Sequence, residues 1–544
     1  MSKHLLFLFL LLTFQGIAKA EQISETEKLA STAKIWGFLK YYHPQVADGK
    51  FDWDNQLLEI LPKVKSADSK EALSEIYLNW IAGLGEVPPC KKCDKNNDEA
   101  YFDKNFDLSW FNNPDTFTSQ LSDKLKFIEQ NRFQGKQHYV YAPYKQVGNI
   151  ALKNEPEYKN LDWSNPDMRL LIAFKYWNYV EYFFPYKYQT DQPWDTVLLE
   201  TIAKLETARS EQDFHDALLQ MIVKIDDAHG GFTASQNNYY YPNMKTQFID
   251  EQLVVRGFYN DSLAQQSPIK RGDVILAVDD VTVENMIQNH MDFVWGSNPA
   301  SKFRNLGYEI IRSTEPSTKK ITFQRDGEVM NVDVQNYVVS DILPKQPDKW
   351  KVLNGNLGYV DMGKLTHDDV AEMMEELLNT KAIIFDIRNY PKGTLYLIAS
   401  YLVPEKRDFF KVIQPDLDYP GRFKWREGMQ CGNPKNNEYY AGKIILLVNE
   451  ITQSHAEFTT MALQTSNNVI TVGSQTAGAD GNVSTLELGG GIKTTISGIG
   501  IFYPDGTETQ RKGVKVDVQV HPTIQGLRDG RDEVLEKALE LAKS

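Results

Sequence analysis

The spacing of apolar residues divides the chain into a helical part followed by two parts built from strands. Between about residues 25 and 230, aromatic and leucine positions recur three and four apart, which is the period of an amphipathic helix. Two stretches within this part match each other at a constant offset of 141 positions over about fifty residues. Trp36 then falls on Trp177, and Trp53 falls on Trp194. The pattern therefore predicts two related helical units.

The two copies have the same beginning and different ends. Pro44 and Pro185 stand at equivalent positions, and each predicts the end of a first helix. The first copy finishes in Gly-Glu-Val-Pro (85–88), whereas the second finishes in Asp-Asp-Ala-His (226–229), followed by two glycines. The second copy therefore carries a histidine in a flexible segment that the first copy lacks.

Beyond about residue 245 the helical period gives way to strands. Short β-type runs alternate with turns up to about residue 338, and the segment IKRGDVILAVDDVTV (269–283) predicts a tight turn, a half-buried strand and a return turn. This segment resembles a PDZ domain of the kind inserted in bacterial proteases, which binds extended peptides by strand addition. From about 355 onwards, continuous apolar runs alternate with helical stretches, which is typical of a parallel sheet covered on both faces.

These patterns predict a multidomain protein of mixed α+β and α/β class. Its predicted parts are a signal peptide (1–20), a helical repeat unit with a linker (21–150), a second helical unit (151–240), a PDZ-like β domain (241–340) and an α/β catalytic domain (341–544).

Composition limits the class of partner. The 544 residues are 42% hydrophobic, as in an ordinary globular protein, and the net charge of -14 argues against binding to a nucleic-acid backbone. The nine histidines form no metal-binding motif, so we expect neither a metal nor another cofactor. The sequence leaves the oligomeric state open.

The N-terminus predicts export. Lys3 and His4 precede an apolar run from 5 to 14, and Ala-Lys-Ala (18–20) has the form of a signal-peptidase site. No later apolar stretch has the length of a membrane span, so we expect a periplasmic or extracellular protein without stable membrane insertion. In such a compartment Cys90 and Cys93 are expected to form a local disulfide, whereas Cys431 has no predicted role.

Ser454 is the candidate nucleophile. It follows the buried strand KIILLV (443–448) by a short loop and opens the helical stretch that begins at His455. Ligands bind at the carboxyl ends of such strands, and the free amides of a helix N-terminus can stabilise an oxyanion. The alternative is that Ser454 is only a helix N-cap, a common use of serine.

Two further segments could complete a site around Ser454. His229 stands where the helical repeat breaks, and it could act as a general base or be an ordinary loop histidine. The segment AIIFDIRNYPKGT (382–394) is a buried strand followed by a turn whose Gly393 could offer a backbone N–H to a substrate carbonyl. Asp386 and Arg388 in this segment are expected to form a structural ion pair.

Four segments in this order resemble the tail-specific, or C-terminal-processing, peptidase family. They are FDIRNYPKGT, VNEITQSHAEF, VGSQTAGADG and PDGTETQRKGVKVDVQV, between residues 385 and 520. The likeness is to the branch that contains the tricorn protease core and interphotoreceptor retinoid-binding protein, and it covers roughly residues 165 to 530. It implies a crotonase- or Clp-protease-like catalytic domain, a Ser454 nucleophile, and oxyanion donors at the N–H groups of His455 and Gly393.

Two departures from the family pattern bear on the mechanism. Ala479 stands where the Ser–Lys branch has its lysine, so the resemblance implies that His229 is the base, as in the tricorn-like branch. That branch places a glutamate where this chain has Gln510, which could orient the imidazole but could not compensate its charge. Glu508 and Asp226 are carboxylates that could assist instead.

The sequence thus predicts a serine peptidase that acts on peptides or unfolded proteins, with Ser454, His229 and Gln510 in catalysis. The alternative is a catalytically weak or inactive protein of the same fold that binds peptides or apolar ligands. The family contains such members.

Overall fold

A computed structural model describes residues 23–93, 100–234, 239–343 and 348–543. The predicted signal peptide, residues 1–20, lies outside the described residues. None of the helices within these ranges is both long and apolar enough to cross a bilayer.

The N-terminal part is mainly helical, as its periodicity predicts. Its helices are α1 (Glu25–Tyr42), α2 (Pro44–Ala47), α3 (Trp53–Ser66), α4 (Lys70–Gly83), α5 (Ser119–Gln130), α6 (Pro166–Phe183), α7 (Trp194–Thr207) and α8 (Glu211–Val223). Short strands lie between and after them: β1 (Tyr101–Phe102), β2 (Val140–Tyr141), β3 (Ala151–Leu152) and β4 (Phe232–Thr233).

The two stretches that match in sequence also share their contacts. In the first, the indole N–H of Trp36 donates to the carbonyl of Trp53 at 2.9 Å, and Trp53 returns the bond at 3.0 Å. In the second, Trp177 and Trp194 exchange the same pair of bonds at 3.0 and 3.1 Å. Each reciprocal pair fixes the first long helix of its unit against the next one, and all four indoles are buried.

The middle part is an antiparallel sheet with helices. It contains β5 (Tyr241–Pro242), β6 (Lys245–Ile249), β7 (Gln252–Gly257), α9 (Asp261–Ala264), β8 (Val274–Val278), β9 (Val281–Thr282), α10 (Val283–His290), α11 (Pro299–Ile311), β10 (Thr318–Arg325), β11 (Glu328–Tyr337) and α12 (Val339–Ile342). The strand order is β5-β11-β10-β8-β7-β6, with β9 paired to β8, and α11 packs on β6. The predicted turn at Asp279 and Asp280 joins β8 to β9, and both residues have the positive φ that such a turn requires.

The C-terminal part contains the predicted parallel sheet. Its elements are β12 (Trp350–Leu353), β13 (Leu357–Asp361), α13 (Val370–Leu377), β14 (Ala382–Asp386), α14 (Leu395–Leu402), β15 (Arg407–Asp408), β16 (Lys411–Pro415), β17 (Phe423–Glu427), β18 (Gln430–Cys431), β19 (Lys443–Val448), α15 (His455–Leu463), β20 (Val469–Gly473), β21 (Val483–Gly489), β22 (Ile492–Ser497), β23 (Gly500–Phe502), β24 (Val518–Gln519), α16 (Ile524–Arg528) and α17 (Glu533–Lys543). The sheet order is β12-β13-β14-β19-β20-β24, and every pair from β13 onwards is parallel. All five residues of β14 are buried, which explains its continuous apolar sequence.

Two smaller sheets join the helical part to the C-terminal part. The strand β1 continues the sheet β1-β17-β16-β23, and β4 continues the sheet β21-β22-β4. Because β4 comes just after the second helical unit, its pairing with β22 brings the residues between α8 and β4 to the catalytic region.

The local disulfide predicted from the sequence is present. Cys90 and Cys93 form the local disulfide, and Cys431 is a buried free thiol.

Candidate active site

Ser454 has an unusual backbone conformation. It follows β19 and directly precedes α15, with φ 56° and ψ -122°. An ordinary N-cap residue is extended, and a non-glycine residue in this region costs about 1–3 kcal/mol of strain. The backbone N–H of Ser454 donates to the carbonyl of Ala479 at 2.9 Å. A serine strained at a sharp turn between a strand and a helix has the geometry of a nucleophile elbow, and Ser454 also forms a capping box with Glu457 at the start of α15.

Glu457, in the first turn of α15, holds this conformation in place. Its fully buried carboxylate accepts hydrogen bonds from the N–H of Ser454 at 3.2 Å and from Thr476 Oγ1 at 2.5 Å. It also accepts from the N–H groups of Gly478 at 2.8 Å and Ala479 at 3.0 Å. Burial raises the pKa of Glu457, and these hydrogen bonds oppose the shift. The sequence analysis missed this residue, although Ser-x-x-Glu before an apolar run is a recognisable pattern.

His229 is positioned by contacts from distant parts of the chain. The N–H of Ala228 donates to Ser297 Oγ at 2.7 Å. The carbonyl of Ala228 accepts from Gln453 Nε2 at 3.1 Å, and Thr495 Oγ1 donates to the carbonyl of His229. The residue before the candidate base is thus bonded to the residue before the candidate nucleophile.

The imidazole ring of His229 has different surroundings at its two nitrogens. Nδ1 lies 2.9 Å from Ser497 Oγ and 3.7 Å from Asp227 Oδ1. Nε2 is buried and has no hydrogen-bond partner among the described residues. Burial lowers the pKa of His229, while Asp227 opposes this shift and Arg304 adds to it. The ring is therefore neutral at pH 7, as a general base requires.

His229 and Ser454 line one cavity of about 1350 Å³. The lining of this cavity includes apolar side chains, among them Phe410, Val412, Phe458, Ile499 and Ile501. In the described part of the chain, no hydrogen bond joins His229 Nε2 to Ser454 Oγ. No group of three or more histidine, cysteine or acidic side chains able to hold a metal ion is present in those same ranges.

Gln510 occupies a different place from the one expected of an imidazole orienter. Its Nε2 lies 3.4 Å from Ser297 Oγ, the atom that also accepts from the N–H of Ala228. The ring nitrogen Nδ1 has Ser497 of β22 as its partner, and among the described residues no hydrogen bond joins Gln510 to His229.

The two other carboxylates considered from the sequence also have partners of their own. Asp226 forms an ion pair with Lys302 at 2.9 Å, and Glu508 accepts from Tyr188 and Lys512. The carboxylate that lies beside the ring is instead that of Asp227, which sequence reasoning did not single out.

The two predicted oxyanion donors differ in position. His455 is the first residue of α15, where an N–H has no intrahelical partner. Gly393 has φ 76°, and its carbonyl accepts from His367 Nε2 at 2.8 Å. Of the described residues in that turn, Tyr390 lines the cavity and Gly393 does not. Thr452 Oγ1 donates to the carbonyl of Ile387 at 2.8 Å and so ties this turn to the nucleophile loop.

The ion pair expected between Asp386 and Arg388 is present at 2.6 Å. Arg388 also pairs with Asp532 at 2.8 Å, so its charge is used in the structure of the turn.

The middle part of the chain also supports the site. Besides the contact of Ser297 with the His229 segment, Asn298 Nδ2 donates to the carbonyl of Thr476 at 2.8 Å. Arg304 on α11 donates to the side chain of Gln453 at 2.7 Å. The middle part, which contains the PDZ-like sequence, is therefore bonded directly to the segments around His229 and Ser454.

Comparison with known proteins places the C-terminal part of the chain in a peptidase family. Residues 356–520 match the profile of Peptidase family S41. This part of the chain is an S41 peptidase domain. The family resemblance inferred from the sequence is thereby confirmed. The domain contains Ser454 and Gln510, whereas His229 lies before the matched residues.

Curated relatives that match about half of this chain are named as serine proteases. The "Probable CtpA-like serine protease" of Staphylococcus haemolyticus (strain JCSC1435) is 22% identical over 281 residues, which are 50% of this chain and 50% of the relative. The protein of the same name from Staphylococcus aureus (strain N315) is 24% identical over 287 residues, 51% of this chain and 52% of the relative. The chain thus spans about half the length of these relatives.

Solved structures share the fold. Mature CPAF superposes with a TM-score of 0.56 at 15% identity, covering 70% of this chain and 97% of that one. Mature CPAF complexed with lactacystin gives a TM-score of 0.55 at 15% identity, covering 70% and 98%.

Proposed function

We propose that this chain is an exported serine-type peptidase that hydrolyses peptide bonds through Ser454, with His229 as the general base. The observation that carries the proposal is the strained backbone of Ser454 at the start of α15, in the same cavity as a buried neutral imidazole. Strain of this kind persists only where surrounding contacts enforce it, and it is concentrated at functional sites.

The reaction is acyl transfer. His229 Nε2 takes the proton of Ser454 Oγ while Oγ bonds to the scissile carbonyl carbon, and the carbonyl oxygen becomes an oxyanion. The N–H of His455, which lines the same cavity as Ser454, is proposed to donate to this oxygen, and one such donor typically contributes about 10²–10³-fold in rate. His229 then passes its proton to the leaving amine, and a water molecule hydrolyses the acyl-enzyme by the same route.

Formation of the bond between His229 Nε2 and Ser454 Oγ is the first step that this mechanism requires. Nε2 already lacks another partner among the described residues. Catalytic hydrogen bonds commonly shorten in the complex with substrate. We propose that the two side chains make this contact when a peptide fills the cavity.

The cavity wall indicates the kind of substrate. The apolar side chains in the cavity lining, Phe410 and Phe458 among them, favour a peptide with an apolar residue next to the scissile bond, since burying one such side chain contributes about 1.5–3 kcal/mol. The middle sheet has an edge strand, β6, beside α11, to which an extended peptide could add as a further strand, as in PDZ domains. We therefore propose peptides and unfolded proteins as substrates.

The alternative function is peptide or apolar-ligand binding without turnover. The missing bond between His229 and Ser454 and the neutral side chain of Gln510 would be consistent with it. Hydrolysis of a panel of chromogenic peptides by the wild type and by Ser454→Ala separates the two. We expect the variant to lose all hydrolysis, and a matched variant of another buried serine outside the cavity, Ser466→Ala, to retain it. Equal hydrolysis by Ser454→Ala and the wild type would contradict the peptidase, and binding without turnover by both would favour the alternative.

A further inference from the structure

We infer that Asp227 and Ser497 are the positioning residues that make His229 a base, in place of a residue from the closing segment around Gln510. The inference rests on the proposed function, and it assigns the charge-compensating group to an aspartate two residues before the base itself.

The contacts around the ring support this assignment. Asp227 is fully buried, and its Oδ1 accepts from the backbone N–H of His229 at 3.0 Å while lying 3.7 Å from Nδ1. Its Oδ2 accepts from the N–H of Ser497 at 2.7 Å. Ser497, also fully buried, places Oγ 2.9 Å from Nδ1. The carboxylate therefore holds the backbone of both His229 and Ser497, the hydroxyl of Ser497 contacts the ring, and the carboxylate lies beside the same ring nitrogen.

These contacts favour the imidazole tautomer that carries its proton on Nδ1 and can accept one at Nε2. A negative charge beside Nδ1 favours a proton on that nitrogen, which then donates to Ser497 Oγ and leaves the lone pair on Nε2. Nε2 is the nitrogen without a partner among the described residues. When it takes the proton of Ser454, the ring becomes positive, and Asp227 is close enough to stabilise that charge.

Other charged and titratable groups near the ring do not serve the same purpose. Arg304 lowers the pKa of His229, which is the opposite of the effect of Asp227. Asp480 lines the same cavity, but burial raises its pKa well above the usual value and so favours the neutral form. The phenols of Tyr176 and Tyr186 lie within electrostatic range of Asp227, and burial raises the pKa of both, so they stay uncharged.

The neighbouring Asp226 provides a matched control. It is also buried, but it pairs with Lys302 at 2.9 Å and lies 3.7 Å from Arg511. Asp226→Asn therefore removes the same charge from the adjacent position without changing the contacts of the ring.

The test compares the pH dependence of kcat/KM for the wild type, Asp227→Asn and Asp226→Asn on one peptide. For Asp227→Asn we expect kcat/KM at pH 7 to fall on the order of 10³-fold, since removing the equivalent carboxylate of a serine protease costs about 10⁴-fold. Because Asp227 raises the pKa of His229, its loss should also move the acid limb to lower pH. Asp226→Asn should keep the acid limb of the wild type.

A second pair of variants guards against misfolding of Asp227→Asn, whose amide cannot accept from both backbone N–H groups. Ser497→Ala should lower kcat/KM about tenfold or more by removing the acceptor of Nδ1–H, and Ser497→Thr, which keeps the hydroxyl, should recover most of the loss. If Asp227→Asn is too slow for turnover assays, the pH dependence of fluorophosphonate labelling reports the same ionisation.

A result that contradicts the roles of Asp227 and Ser497 differs from a result that contradicts the proposed peptidase activity. An acid limb that does not move in Asp227→Asn, or full activity in Ser497→Ala, would overturn this inference while Ser454→Ala remains inactive. Hydrolysis by Ser454→Ala at the wild-type rate would overturn the proposed function itself.

Discussion

Replacing Glu457 by glutamine tests whether this carboxylate holds the nucleophile in its strained conformation. In the wild type, four hydrogen bonds converge on its two oxygens, from Ser454, Thr476, Gly478 and Ala479. A glutamine has the same shape but only one oxygen. In either orientation of the amide, at least one backbone N–H therefore faces an NH₂ group.

The expected cost follows from these contacts. One buried N–H without an acceptor costs about 1–3 kcal/mol, and the remaining bonds to the side chain lose the strength that a charge gives them. Together, the unpaired N–H and the weaker hydrogen bonds cost about 3 kcal/mol, which is as large as the backbone strain at Ser454 of about 1–3 kcal/mol. The loss is enough to let the elbow relax towards negative φ. At about 1.4 kcal/mol per factor of ten, we expect kcat/KM to fall by about 100-fold, mainly in kcat.

The assay is steady-state hydrolysis of one chromogenic peptide, together with the rate of fluorophosphonate labelling. Thr460→Val is the control, because Thr460 is buried on the same helix and its hydroxyl donates to the carbonyl of Ala456 within that helix, at 2.8 Å. We expect the control to keep kcat/KM within a few-fold of the wild type. Full activity and full labelling in Glu457→Gln would refute the claim that Glu457 positions Ser454.

Three other predictions follow from the site and from the N-terminal sequence. Because burial lowers the pKa of His229 below 6.5, the acid decline in kcat/KM of the wild type should have its midpoint below pH 6.5, and a decline centred above pH 7 would contradict the neutral buried base. Burial and the nearby Glu457 raise the pKa of Asp480, so the stability that Asp480 contributes at low pH is lost as the pH rises through its folded pKa. Asp480→Asn should therefore raise the melting temperature more at pH 8 than at pH 5, and an equal change at both would argue against a buried acid. N-terminal sequencing of the exported protein should begin at Glu21, and an intact Met1 in the mature protein would overturn the signal-peptide prediction.

Much of the fold could be predicted because it depends on local pattern. Continuous apolar runs identify β13, β14, β19 and β20, since strands buried on both faces need apolar residues at every position. The repeat at an offset of 141 positions identifies the helices whose tryptophans exchange hydrogen bonds. Ser454 could be found in the same way, because a serine between a buried strand and a helix is a local arrangement.

The surroundings of His229 could not be predicted in the same way. Its ring partner Ser497 is 268 positions away in the sequence, and it reaches the ring only because β4 pairs with β22. Ser297, which supports the backbone before His229, comes from the middle part, 69 positions beyond Ala228. Contacts of this kind depend on the assembled fold, so the sequence pointed to Gln510 where the structure places Asp227 and Ser497.

The central claim is that Ser454 is an activated nucleophile and that His229 activates it. The most direct measurement is fluorophosphonate labelling of the wild type and of His229→Ala, followed by mass spectrometry of the labelled peptides. We predict one phosphonylated residue in the wild type, Ser454, and a labelling rate at least about 100-fold lower in folded His229→Ala. Labelling of another residue, no labelling of folded wild-type protein, or an equal rate in His229→Ala would contradict the account.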